Sequence, residues 1–130
     1  MITRLRSMDR PVLVVDDSAF MRKLICDTLL QGGIYPVIEA KDGEEAVAKF
    51  IEKLPSLVLM DINMPKKNGI DAAREILSID PKSEVVMLTA IDQEWAKEEA
   101  KKIGVKHFIA KPFRREELFK TINTALLMRR

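Results

Sequence analysis

The chain predicts an α/β domain built on a mostly parallel sheet, and three observations carry that prediction. Short apolar runs alternate with helix-like segments about five times along 130 residues, without an internal repeat or a low-complexity stretch. The runs at 12–15, 57–60 and 85–88 are apolar at every position, as strands covered on both faces should be. Polar side chains directly follow four runs. Val12-Leu13-Val14-Val15 ends in Asp16-Asp17, Leu57-Val58-Leu59-Met60 in Asp61, Val85-Val86-Met87-Leu88 in Thr89, and His107-Phe108-Ile109-Ala110 in Lys111. Open parallel sheets bind ligands at the carboxyl ends of their strands, so neighbouring parallel runs would gather these groups in one crevice.

Taken in order, residues 1–9 read as a loose N-terminal extension and 10–130 as one domain with room for a sizeable core. The helix after the first run stops at Gly32-Gly33. Cys26 falls inside it, where a small buried apolar residue is expected. In the second run, Tyr35-Pro36-Val37-Ile38, Pro36 lacks a backbone donor, which suits an edge strand. Asp42-Gly43 reads as a strand-to-helix turn because a helical stripe follows: Ala46, Val47, Phe50, Ile51 and Leu54 share one expected buried face. The helix after 57–60 stops near Pro81, and a charged helix from Asp92 to Ile103 stops at Gly104. On that charged helix Lys97, Lys101 and Lys102 interleave with Glu94, Glu98 and Glu99, a solvated face with i,i+4 pairs. Trp95 is expected there as partly exposed packing. His107, the one histidine, lies within a strand-like run and is read as packing rather than catalysis. Leu118, Ile122, Ala125 and Leu126 stripe a last helix over 113–127, which leaves no room for a second domain.

Composition narrows the function classes. A hydrophobic fraction of 47% fits a folded globule. The net charge of +2, from 22 basic and 20 acidic residues, gives no basis for a nucleic-acid wrap or an anionic membrane surface. Arg4, Arg6, Arg10, Arg129 and Arg130 read as solvated termini. A single cysteine forbids an internal disulfide, and the seven methionines scatter through core-like positions without forming a ligand cluster. No run approaches the roughly 20 apolar residues of a membrane span, and no signal-peptide core is present, so a cytoplasmic protein is expected.

The polar strand ends suit a divalent cation and a phosphoryl group. Mg²⁺ takes hard oxygen ligands, usually one or two carboxylates with waters and phosphate oxygens, and Asp16, Asp17 and Asp61 supply carboxylates from two strand ends. Any one of them alone would be read as an N-cap of the next helix. Three together crowd like charges that a cation would neutralise. Lys111 offers a point charge for phosphate oxygens, aimed by a Lys111-Pro112 bond that can adopt cis. Thr89 offers a hydroxyl at the same edge.

The strings Val14-Val15-Asp16-Asp17, Met60-Asp61-Ile62-Asn63-Met64-Pro65 with Gly69, Thr89-Ala90 and Lys111-Pro112-Phe113 resemble the receiver domains of two-component response regulators. The resemblance spans about residues 10 to 127, and Asp16-Asp17-Ser18-Ala19-Phe20-Met21-Arg22-Lys23 is most similar to the single-domain chemotaxis regulators of the CheY type. It implies a flavodoxin-like, doubly wound, five-stranded parallel sheet of order 2-1-3-4-5 with five helices. It implies Asp61 as phosphoacceptor from a phosphohistidine. Asp17 and Asp61 would hold Mg²⁺ (Mn²⁺ substituting), with the Asn63 main-chain carbonyl, and Asp16 partly through water. Lys111 would pair with the phosphoryl group and Thr89 would donate to it. Thr89 and Phe108 would form the switch, Phe108 lacking the hydroxyl of the tyrosine often found there.

The resemblance further implies a signalling switch that modifies itself and is not a classical enzyme. Its expected partners are a histidine kinase and a phosphorylation-dependent target, a flagellar or archaellar switch or an adaptor, with no nucleic acid and no membrane. A monomer is expected, with dimerisation on phosphorylation left open. Three alternatives remain: a receiver in a phosphorelay outside chemotaxis, a haloacid-dehalogenase-type phosphatase or phosphotransferase, and a flavodoxin-type electron carrier. The phosphatase would need Asp-x-Asp where the chain has Asp16-Asp17-Ser18. The electron carrier would need a Ser/Thr-rich phosphate loop where it has Ser18-Ala19-Phe20.

Overall fold

Five parallel strands form one sheet of order β2-β1-β3-β4-β5: β1 (Val12–Val15), β2 (Val37–Ala40), β3 (Leu57–Asp61), β4 (Glu84–Ala90) and β5 (His107–Lys111). Five helices connect and flank them: α1 (Ala19–Gln31), α2 (Gly43–Lys53), α3 (Gly69–Ile79), α4 (Glu94–Lys102) and α5 (Arg115–Met128). The computed structural model describes residues 10–64, 67–90 and 93–128. The expected extension at 1–9 lies outside them, as do Pro65, Asp92, Arg129 and Arg130.

The sheet is doubly wound, and the strand pleat sorts its apolar residues onto two cores. Leu13, Val15, Val58, Met60, Val85 and Met87 face α2, α3 and α4, which contribute Phe50, Ala72, Ile76, Ala96 and Ala100. Val12, Val14, Leu57, Leu59, Val86 and Leu88 face α1 and α5, which contribute Ile25, Leu29, Leu118, Ile122 and Ala125. Every residue of β1 is fully buried, the physical reason its sequence is apolar without alternation. Cys26 is buried on α1 as expected, and burial first, with the Glu39 carboxylate second, raises its thiol to about 11.

Local chemistry sets the helix ends. Ser18, Asp42 and Asn68 cap α1, α2 and α3, each side chain accepting from the backbone N–H three residues on. Gly32 closes α1, and Gly104 follows α4 with φ +107, a conformation that favours glycine. The edge strand β2 begins at Val37, two residues later than the run suggested. Pro36 cannot donate to the ladder, and only its carbonyl joins, accepting from the Val12 amide at 3.0 Å.

Three sequence expectations need correction. Ile51 and Leu54 are exposed, at 58% and 47%, so the buried stripe of α2 is the narrower Ala46-Val47-Phe50. Leu54 has left the helix as its C-cap, with φ 47. On α4 the ion pairs are i,i+3, Glu98–Lys101 and Glu99–Lys102, while Lys97 lies 5.4 Å over the Phe108 ring. Trp95 is 65% exposed, more a solvent-facing side chain than a packed one.

Candidate functional site at the carboxyl edge of the sheet

Register brings the polar strand ends together. Val15 pairs with Met60, so Asp16 and Asp61 emerge at the same level from neighbouring strands. Asp61 pairs with Leu88, and Thr89 is the next residue of β4. Lys111 pairs with Ala90 on the far side of β4, one step beyond Thr89, and its long side chain reaches back across the edge.

Carboxylate oxygens of Asp16, Asp17 and Asp61, one from each, all lie within 4.8 Å of one another. Asp16 is 1% exposed and Asp61 7%, whereas Asp17 is open to solvent. The Asp16 Oδ1 accepts from the Ser18 amide at 2.9 Å, and its buried Oδ2 has no hydrogen-bond partner among the described residues. A buried carboxylate oxygen without a donor is costly, and a divalent cation facing all three carboxylates would relieve it. The donor set, carboxylate oxygens with one side open, fits a hard cation that keeps waters.

Asp61 is held on two sides. Its Oδ1 accepts from the Asn63 amide at 3.2 Å, and its Oδ2 lies 3.3 Å from Lys111 Nζ. Burial nevertheless raises its carboxyl above the ordinary 3.8. Lys111 opposes that rise, Asp16 adds to it, and the Asn63 amide again opposes it. The result is a desolvated, relatively basic carboxylate beside a cation, at the mouth of an acidic cluster. That chemistry suits a nucleophile toward an electrophilic phosphorus.

Thr89 is buried at 6% on the adjacent strand, and Phe108 is half-buried on β5, packed against the α2–α3–α4 core. The Lys111-Pro112 peptide is cis. Every residue singled out in the sequence for this edge, Asp16, Asp17, Asp61, Asn63, Thr89 and Lys111, is therefore found there.

Further contacts support this arrangement, most of them without a signal in the sequence that points to the site. Arg22 donates from Nη1 to the Asp16 carbonyl at 2.8 Å and from Nε to Glu39 Oε1 at 2.9 Å. Gly69 sits where a Cβ would lie 2.3 Å from the Asp61 carbonyl oxygen, so its lack of a side chain lets α3 start against β3. Gln93 accepts from the Ala90 amide at 3.1 Å and fastens the start of α4 to the end of β4. At the opposite end of the sheet His107 Nε2 meets buried Glu84 at 3.2 Å, which gives the packing role expected for the histidine a polar partner. Only Gly69 had a signal in the sequence, as a member of the motif after Asp61.

The site therefore joins a doubly wound sheet to an acidic carboxyl edge where, among the described residues, Lys111 faces the buried Asp61. The family model described as response regulator receiver domain matches residues 12–123, and the chain belongs to that family. The chemotaxis protein CheY of Thermotoga maritima is 43% identical over 116 residues, 89% of this chain and 97% of that protein. The CheY of Bacillus subtilis is 42% identical over 119 residues, 92% and 99% of the two chains. Among solved structures, the Vibrio cholerae chemotaxis protein CheY4 superposes with a TM-score of 0.83 at 32% identity, over 89% of this chain and 98% of its own. No helix among the described residues is long and apolar enough to cross a membrane.

Proposed function

We propose that this chain is a phosphorylation-activated signalling switch of the chemotaxis type, with residues 10–130 as the receiver unit and Asp61 as its phosphoacceptor. The observation that carries this reading is the convergence of three carboxylates within 4.8 Å on an Asp61 that Lys111 contacts at 3.3 Å. A carboxylate oxygen of Asp61 attacks the phosphorus of a phosphohistidine on a histidine kinase. The P–N bond breaks, the imidazole departs with its electron pair, and an acyl phosphate remains on Asp61.

Asp17 and Asp61, with Asp16 and the Asn63 main-chain carbonyl, would hold Mg²⁺. When bound, the ion would neutralise the cluster and the charge developing on the phosphoryl oxygens. Lys111 screens the same oxygens, and Thr89 donates its hydroxyl to the phosphoryl group. The product is a modified self, which fits a switch with limited self-catalysis better than an enzyme with turnover. Thr89 and Phe108 pass the change to the face of α4, β5 and α5, where a target binds. The CheY relatives favour a target in the motility apparatus.

Incubation with acetyl phosphate and Mg²⁺, followed by mass spectrometry, tests the assignment. Wild type should gain one phosphoryl group on Asp61, Asp61→Asn none, and excess chelator should suppress the reaction. Labelling of Asp61→Asn at the wild-type rate overturns it.

A further inference from the structure

We propose that Arg22 is a positioning residue for the cation site, fixing the Asp16–Asp17 peptide through which both carboxylates are aimed; this deepens the metal reading above and rests on it. Arg22 stands on the first turns of α1, beyond its own N-cap Ser18, whose carbonyl accepts from the Arg22 amide at 2.9 Å. Its guanidinium makes two fixed bonds in different directions. Nη1 donates to the Asp16 carbonyl at 2.8 Å and Nε to Glu39 Oε1 on β2 at 2.9 Å. The Arg22 side chain is 19% exposed and its bond to the Asp16 carbonyl is half-buried, whereas the Glu39 end of the clasp is open to solvent at 52%.

The Asp16 carbonyl belongs to the peptide plane that leads into Asp17. Pinning that oxygen fixes the plane, and with it the direction in which the exposed Asp17 side chain leaves the backbone. Asp16 is fixed from the other side by the Ser18 amide on its Oδ1. With these two contacts in place, one carboxylate oxygen each of Asp16, Asp17 and Asp61 lie within 4.8 Å of one another. A lysine could not replace the clasp, because one ammonium on a flexible stem does not present two planar donors in fixed directions.

The sign of the effect separates positioning from charge. Arg22 is a cation near a cation site, so through charge alone its loss should tighten metal binding. Through positioning, its loss should weaken binding. The test is Mn²⁺ affinity by electron paramagnetic resonance in wild type, Arg22→Gln, Arg22→Lys and, as a charge control, Lys23→Gln. Lys23 is the neighbouring exposed cation on α1, and it pairs with Asp27 at 3.2 Å. Both Arg22 variants should bind Mn²⁺ about 10-fold more weakly, the size typical of losing a group that orients a metal ligand. Lys23→Gln should bind as wild type or slightly tighter. In the metal-free proteins the Asp17 and Ser18 amides should exchange several-fold faster in Arg22→Gln than in Lys23→Gln, at unchanged exchange in β3. Unchanged or tighter Mn²⁺ binding by Arg22→Gln, or full affinity in Arg22→Lys, overturns the positioning role while leaving the metal site standing. No Mn²⁺ binding by wild type overturns the metal reading, and this role with it.

Discussion

Replacing Asp61 by Asn should stabilise the metal-free protein at neutral pH, although it removes an ion pair. At an effective dielectric of about 20, two like charges no more than 4.8 Å apart repel by on the order of 3.5 kcal/mol or more, and Lys111 at 3.3 Å attracts by on the order of 5 kcal/mol. Asp17 is exposed, so its share falls toward the aqueous limit of about 1 kcal/mol. Repulsion from Asp16 and Asp17 therefore roughly cancels the attraction of Lys111. What remains is the cost of desolvating a buried carboxylate, in agreement with burial as the largest cause of the raised Asp61 carboxyl. Asn keeps the shape without that cost, and a gain of about 1–2 kcal/mol, roughly 4–8 °C in Tm, is expected. The sign follows from linkage. A carboxyl raised in the fold is protonated in both states below 3.8, and the native state loses stability as pH climbs from 3.8 through the raised value. The advantage of Asp61→Asn should therefore vanish near pH 3, open through that window and hold at pH 7. Mg²⁺ at tenfold excess over its Kd should return about 1.4 kcal/mol to wild type and less to the variant. Differential scanning calorimetry at pH 3 and pH 7, with and without Mg²⁺, reads all of this. An Asn variant no more stable than wild type at pH 7, or equally favoured at pH 3, would refute the reasoning.

Two further outcomes are expected. Beryllofluoride with Mg²⁺ should change amide shifts around Phe108, α4 and α5 as well as around Asp61, and Thr89→Ala should confine the changes to the Asp61 pocket. The shift should be partial, because full conversion needs roughly 5.5 kcal/mol and a charge-assisted contact supplies about 1.5–3 kcal/mol. Cys26, with its thiol raised to about 11, should be almost wholly protonated at pH 8 and react with a disulfide reagent only on unfolding; rapid labelling of the native protein would contradict its burial on α1.

The strands and the convergent edge were legible for one physical reason. Central parallel strands are covered on both faces, so β1, β3 and most of β4 must be apolar throughout, and the first polar residue marks where each one leaves the core. Where the covering is incomplete the signal blurs. Edge strand β2 has only Ala40 buried, and its start was misplaced by two residues. On α2 the apolar stripe continues through Ile51 and Leu54, yet both face solvent. The strand order itself came only with the family resemblance, since alternating runs fix parallel pairing but not which run is the neighbour of which.

The contacts that orient the site are of a different kind. Arg22 and Glu39 are 17 residues apart, and Glu84 and His107 are 23 apart. No helical or strand period relates either pair. Each depends on strand adjacency and register: β2 beside β1 with Val15 opposite Ala40, and β4 beside β5 with Val86 opposite His107. A charge in an exposed-looking stretch, such as Arg22 before Lys23, carries the same pattern whether it is solvated or clasped. The chemistry of the edge thus follows from which residues end the strands, while its precision follows from register, and register is resolved only when the chain is folded. For that reason the Arg22 variants and the Asp61 variant probe different levels: the first asks whether the carboxylates are aimed, the second what their crowding costs once they are.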